Sequence, residues 1–275
     1  MLKDNTFGQY FPGTSFLHKM DPRMKLIVTI LYIVIIFFAS NVLSFAFLIL
    51  STLAMIFLSR LSLKVVLRGV RPVLIIILFT MIFNVLFTTD TGKPLVSFWI
   101  FDIYMQGIVR AFLMGLRVVI LVLASGVLLT YTTSPLALAD AIEHLLRPLR
   151  VIRVPVHEFA MMMTIALRFI PTLIEETDKI MSAQKARGAD FSSGSLLRRA
   201  KALVPILIPL FVSAFKRAEE LAVAMECRCY RGDKGRTKLR RLKYRTSDFV
   251  WLLIFILGLV AVICINRFSP IPITY

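Results

Sequence analysis

The sequence predicts an all-α membrane protein with about five transmembrane helices and a large cytoplasmic or interfacial region of amphipathic helices. Three observations carry this. First, 58% of the 275 residues are hydrophobic, 22 of them Phe, a content that a water-soluble domain of this size could not bury. Second, the apolar residues gather into runs of membrane-crossing length. Third, the basic residues fall almost wholly in alternate segments between those runs.

Residues 1–24 hold Asp4, Pro12, Gly13, His18, Asp21 and Pro22 without an apolar core, so they do not read as a cleavable signal peptide. The first apolar run is expected to act as an uncleaved anchor. Asp21-Pro22 predicts a helix start, with Asp as cap acceptor and Pro where a missing N–H costs nothing. From there run Leu26–Ala39 and, after Ser40-Asn41, Val42–Leu58. At about 1.5 Å per residue each crosses most of a bilayer core of roughly 30 Å. A polar loop with Arg60, Lys64, Arg68 and Arg71 precedes the third run, Val73–Phe87. A loop carrying Asp90, Lys93 and Asp102 precedes the fourth, Ile108–Thr130. Thr132-Thr133-Ser134-Pro135 predicts another capped start, opening a helix too short to span that should lie along the interface. Two long amphipathic helices follow, then a strongly basic stretch from Arg231 to Arg245 and a fifth run, Phe249–Ile265. The chain thus divides into an N-terminal membrane part with four spans (1–131), a region of one short and two long helices (132–247), and a C-terminal span with a short external tail (248–275).

Placing the N-terminus inside leaves only Lys93 and Arg267 of these basic residues outside, in line with the positive-inside bias. The formal net charge of +17 is therefore mostly a matter of membrane orientation. Nucleic acid is a poor partner for the Arg231–Arg245 stretch, since only Tyr244 is available for base stacking; anionic headgroups of the lipid bilayer fit it better. Within the fourth run Arg110 and Arg117 share a helix face. They read either as an intramembrane ion site or as side chains that snorkel or pair with a carbonyl. No acidic residue lies within the runs as a relay partner, which favours the second reading.

The two long helices organise the region between. In the first, Phe159, Met162, Met163, Ala166, Phe169, Ile170, Leu173 and Ile174 recur at three-four spacing; in the second, Leu203, Val204, Leu207, Leu210, Phe211, Ala214 and Phe215 do the same. Pro171, Pro205 and Pro209 should bend them. Each ends in an arginine between small residues, Ala186-Arg187-Gly188 and Cys227-Arg228-Cys229, with Ala183 and Ala224 at the same offset before the arginine. One such arginine could simply complement the helix macrodipole. Two equivalent ones point to a pair of docking sites, where an arginine enters a partner's groove and meets a carboxylate.

Chemistry is sparse elsewhere. No phosphate-binding Gly-rich loop occurs, the three histidines are scattered away from metal-ligand spacing, and no Ser-His-acid set is apparent. Catalytic residues and a metal site are expected to be absent. Cys227 and Cys229 read as small flanks of Arg228 rather than half of a zinc or redox set.

The chain resembles the transmembrane T component (EcfT/CbiQ-like) of energy-coupling factor (ECF) transporters. The resemblance covers essentially the whole length. It rests on Pro12-Gly13-Thr14-Ser15-Phe16-Leu17-His18 followed by Asp21-Pro22-Arg23-Met24-Lys25, on Leu128-Leu129 to Pro135 before a helix containing Glu143, on Arg168-Phe169-Ile170-Pro171, and on Ala186-Arg187-Gly188. It implies a non-catalytic subunit of an ATP-driven importer for vitamins or other micronutrients, in a prokaryotic cell membrane. Two ABC-type ATPase subunits, which hold the ATP and Mg, would dock on Ala186, Arg187, Gly188, Cys227, Arg228 and Cys229. A small membrane substrate-binding S component, or lipid, would meet Phe169, Leu173, Leu207, Phe211 and Phe215. No cofactor is expected on this chain. The second tip departs from the family's pattern, because Cys227 and Cys229 stand where Ala and Gly are common and Arg231-Gly232 offers a competing register. An ordinary ABC importer subunit, a stand-alone secondary carrier using Arg110 and Arg117, and a membrane-tethered interaction protein are the alternatives.

Overall fold

The computed structural model describes residues 10–87, 96–98, 101–152, 154–189, 191, 195–232, 242 and 244–268. Helices dominate, and the chain forms two compact units: one within Phe7–Ala141 and Leu242–Tyr275, the other within Ile142–Arg241.

In the first unit a short α1 (Phe16–Lys19) leads to α2 (Pro22–Phe38), α3 (Val42–Ser59), α4 (Leu63–Val70), α5 (Leu74–Phe87), α6 (Met105–Ser125) and α10 (Thr246–Phe268). α2 packs on α6 and α10, and α5 lies along α6. Val28, Ile35, Ile36, Leu48, Val127 and Val262 are fully enclosed between these helices, while Ile75, Phe79, Phe112 and Leu253 are exposed. An apolar exterior around a small apolar core is what a bilayer solvent permits.

Two features differ from the sequence expectation. The polar loop between the second and third runs is largely helical: α4 continues through a 3₁₀ turn, Arg71–Val73, into α5, giving one 25-residue rod, Leu63–Phe87. Its polar residues alternate with Val66 and Val70, which are buried, so the basic residues lie on the outer face of a helix and not in a loop. Between α5 and α6, three-residue strands Val96–Phe98 and Phe101–Ile103 form an antiparallel hairpin in which Val96 pairs with Ile103. Strands that short leave no period-two pattern to read. Five helices among the described residues are long and apolar enough to cross a membrane. They include the long α8 (Val156–Ala186), whereas α2 has 17 residues, about 25 Å at helical rise, and falls just short of that length criterion.

Buried polar groups hold the unit at one end. Asp21 caps α2 by accepting from the Arg23 N–H at 2.9 Å and also pairs with the Arg23 guanidinium at 2.9 Å. That guanidinium lies 3.9 Å over the Tyr244 ring, a cation–π contact. Asp248 at the start of α10, 1% exposed, accepts from the Arg245 and Asp21 N–H groups. Lys25, equally enclosed, donates from Nζ to the Thr132 carbonyl at 2.8 Å and to the Thr132 and Thr133 hydroxyls. At the other end Asn266 bonds Ser44 and the Phe38 carbonyl. Tyr32 joins α2 to Ser51 and Thr52 of α3 midway. Immediately before Thr132, α6 widens into a π-helical turn, Gly126–Thr130, closed by the Tyr131 N–H donating to the Gly126 carbonyl. Gly69 and Gly126 are required there, because a Cβ on either would collide with the Tyr131 side chain.

The N-terminal Pro12–His18 motif acts as a local clasp. His18 Nε2 donates to the Phe11 carbonyl at 2.9 Å and Nδ1 meets the Ser15 hydroxyl at 2.6 Å, while the Phe11 N–H donates to the Tyr131 carbonyl. Burial lowers the His18 pKa from its ordinary value, the Phe11 bond partly offsets this, and the nearby Lys25 charge lowers it further. The unfolded chain then binds the proton more readily than the folded one. This contribution to stability is fully present above about pH 6.5, the usual His value, and is lost as pH falls through that value toward the lower folded one. Unfolding midpoints measured from pH 7.5 to 5 should fall, and His18→Asn should flatten that slope.

The second unit holds the end of α7 (Pro135–Leu146), a 3₁₀ segment Arg147–Ile152, α8, and α9 (Leu196–Cys227). Glu143 and His157 bond at 3.1 Å across the 3₁₀ segment. α8 and α9 pack on each other, with Arg217 donating to Glu176 across them at 2.7 Å. That pair is partly exposed, so water and salt screen it and it orients the helices more than it stabilises them. Both helices run unbroken through Pro171, Pro205 and Pro209.

Candidate functional site: the two helix tips

Each long helix ends where its arginine stands, and the reason is local. α8 closes with Arg187 as the C-cap residue (φ −83°, ψ 5°) and Gly188 in the left-handed region at φ 87°. The Gly188 N–H donates to the Lys185 carbonyl and the Ala189 N–H to the Gln184 carbonyl. α9 closes with Arg228 (φ −90°, ψ 13°) followed by Cys229 at φ 54°. There the Cys229 N–H donates to Glu226 and the Tyr230 N–H to Met225. Both ends are Schellman motifs with the same two bonds at the same offsets, and both put an exposed arginine at the C-cap. Arg231 lies three residues beyond Arg228, past the helix end, so by backbone geometry Arg228 is the counterpart of Arg187.

The sequence did not disclose what Cys229 does. It occupies the position Gly188 fills in the first tip, at a left-handed φ that costs an L-residue roughly 1–2 kcal/mol. Cys229→Gly should therefore stabilise the second tip by about 1 kcal/mol, and Gly188→Ala should destabilise the first by about as much. Amide exchange at Tyr230 and Ala189 would report both changes. Cys227, Cys229 and Cys264 are free thiols, all exposed.

The apolar residues expected to meet an S component or lipid separate into two groups. Leu207, Phe211 and Phe215 on α9 are exposed, as are their neighbours Leu203, Val204 and Ile208. Phe169 and Leu173 on α8 are half-buried. Among the described residues of α9 the deeply buried one is Ile206 at 2% exposure, which lies off the predicted stripe. In α6 the arginine question resolves for Arg117. Its guanidinium donates to the Ala39 carbonyl at 2.6 Å and sits 5.5 Å from the Phe45 ring, the carbonyl-paired arrangement.

The chain thus joins a helical unit with membrane-length apolar helices to a helix pair with two matched arginine tips. Comparison with known proteins supplies the family. The family model described as "Cobalt transport protein" (CbiQ) matches residues 13–239. The energy-coupling factor transporter transmembrane protein EcfT of Clostridium kluyveri is 50% identical over 250 residues, covering 91% of this chain and 92% of that protein. The Brevibacillus brevis EcfT is 52% identical over 265 residues, 96% of each chain, and the Bacillus subtilis EcfT 49% over 248, 90% of this chain and 93% of that one. The chain belongs to the CbiQ/EcfT family of energy-coupling factor transporter transmembrane components.

Proposed function

We propose that this chain is the scaffold of an ATP-driven importer, transmitting movement of two ABC-type ATPases to a small membrane S component that binds the cargo. The observation that carries this reading is the pair of matched Schellman tips, which gives two partners of similar shape equivalent arginines to grip. ATP and Mg belong to those partners, and this chain is a non-catalytic subunit that holds no cofactor. The exposed face of α9 from Leu203 to Phe215 supports an apolar partner, the S component or lipid, and its Phe side chains suit adaptable packing. The cargo is a micronutrient, a vitamin or a metal ion, chosen by the S component. The orientation is N-terminus inside and C-terminus outside, with α2, α3, the α4–α5 rod, α6 and α10 as the spans and α8 and α9 on the cytoplasmic side of a prokaryotic cell membrane.

The discriminating experiment is purification of the tagged chain from its own membranes. Two ATPases and a small hydrophobic membrane protein are expected to accompany it, and uptake into vesicles should require ATP. Gradient-driven uptake by the chain alone would instead establish a secondary carrier. The engagement of Arg117 by the Ala39 carbonyl counts against that alternative.

A further inference from the structure

The rod formed by α4 and α5 carries a feature that lies outside the residues proposed above for docking. Lys64, Arg68 and Arg71 recur at spacings of four and three, so they form one stripe along α4 and its 3₁₀ extension. Arg60, at the C-cap of α3, stands immediately before the stripe. All four side chains are exposed. The sequence contains no Asp or Glu between Asp21 and Asp90, and among the described residues none of the four makes an ion pair. Beside the stripe lie exposed Leu63, Leu67 and Leu74, which lead without interruption onto the exposed Ile75, Leu78 and Phe79 of α5. The opposite side of α4 is anchored by buried Val66 and Val70. A cavity of about 390 Å³ lies against Arg60, lined also by His18, Ser59, Ser62 and Thr14.

We propose that this stripe and cavity form a binding site for an anionic phospholipid, its phosphate held by Arg60, Lys64, Arg68 and Arg71, its polar headgroup in the cavity and its acyl chains along α5. Charge complementarity selects an anion, because among the described residues none of these cations pairs with a carboxylate. Continuity with an apolar helix long enough to cross a bilayer selects a lipid over a free phosphate, since a soluble anion would gain nothing from Leu67, Leu74 or Phe79. The exposed hydroxyl of Ser62 suits a headgroup that carries hydroxyls of its own, whereas that of Ser59 is held by the Ile56 carbonyl. The role is distinct from merely orienting the chain: a stripe that only biased insertion would need neither regular spacing nor a cavity at its end.

The test uses the full-length chain in nanodiscs made from equal amounts of phosphatidylglycerol and phosphatidylcholine. A phosphatidylglycerol with a photoreactive headgroup should crosslink to the peptide containing Ser59–Arg71. Each basic residue near a membrane surface shifts partition of an anionic lipid about fivefold, so Lys64→Gln/Arg68→Gln/Arg71→Gln should lower that crosslink by one to two orders of magnitude. Neutralising Lys179, Lys201 and Lys216 should leave it unchanged. Matched unfolding midpoints in pure phosphatidylcholine would establish that the triple variant is folded. Equal crosslinking in parent and triple variant would overturn the site. Displacement of the crosslink by millimolar inorganic phosphate at constant ionic strength would overturn the assignment to lipid, identifying a soluble-anion site. Neither result bears on ATPase docking, which involves other residues.

Discussion

Arg187→Glu and Arg228→Glu are each expected to weaken assembly with the ATPases by one to several orders of magnitude, and the double variant to abolish it. A buried, hydrogen-bonded charge pair loses about 2–5 kcal/mol when one partner is removed, roughly thirtyfold to several thousandfold in affinity at 1.4 kcal/mol per decade. Reversal adds repulsion to that loss. The competing account is that both arginines only complement the negative end of a helix, an effect of about 0.3–1 kcal/mol that acts on the chain's own stability. The two accounts separate when both quantities are measured: docking predicts lost co-purification with a nearly unchanged unfolding midpoint, whereas macrodipole stabilisation predicts the opposite. Arg187→Lys sharpens the test, because it keeps the charge but not the bidentate fork. It should fall between the parent and the reversal. Full assembly and ATP-driven uptake in the double reversal would sink the docking assignment.

The tips also show where sequence reading works and where it stops. Gly188 is legible as a helix terminator because it is a glycine after a long amphipathic repeat. Cys229 is not, since nothing in a cysteine announces a left-handed backbone, and only its bonds to Glu226 and Met225 make it the counterpart of Gly188. Periodicity in α9 located the apolar residues but not their destination. Leu207 and Phe211 satisfy the same spacing rule as a core stripe, yet they are exposed and Ile206 is buried, because spacing does not record whether the covering surface belongs to the same chain. The Arg60–Arg71 stretch failed for the reverse reason: four cations in twelve residues look like a loop until Val66 and Val70 are seen to share one buried side. The Asp21–Lys25 motif was visible as a resemblance without a role. Its acceptors stand more than a hundred residues away at Thr132 and Thr133, a separation that no local pattern can bridge.

That distant contact sets the largest stability effect expected in the membrane unit. Lys25→Met keeps most of the aliphatic stem and removes the ammonium, leaving the Thr132 carbonyl and both threonine hydroxyls without their donor in a site that is almost wholly enclosed. It also leaves the buried carboxylates Asp21 and Asp248 with one cation fewer around them. Losing the donor to these buried neutral acceptors costs about 1–3 kcal/mol, because the groups left behind are desolvated without a partner. At about 2–4 °C per kcal/mol for a chain of this size, the unfolding midpoint in detergent should fall by roughly 2–12 °C. Thr133→Val removes a single acceptor and should cost only about 1 kcal/mol. Lys25→Arg should not rescue, since a planar fork cannot direct its donors at three oxygens gathered around one point. The contact ties the first turn of α2 to the residues between the π-helical turn and α7, so amide exchange in Thr132–Ala137 should rise in Lys25→Met well beyond any change in α3. An unchanged midpoint together with unchanged exchange would mean that Lys25 is an incidental neighbour of Thr132, and that the motif Asp21–Lys25 serves only to start its own helix.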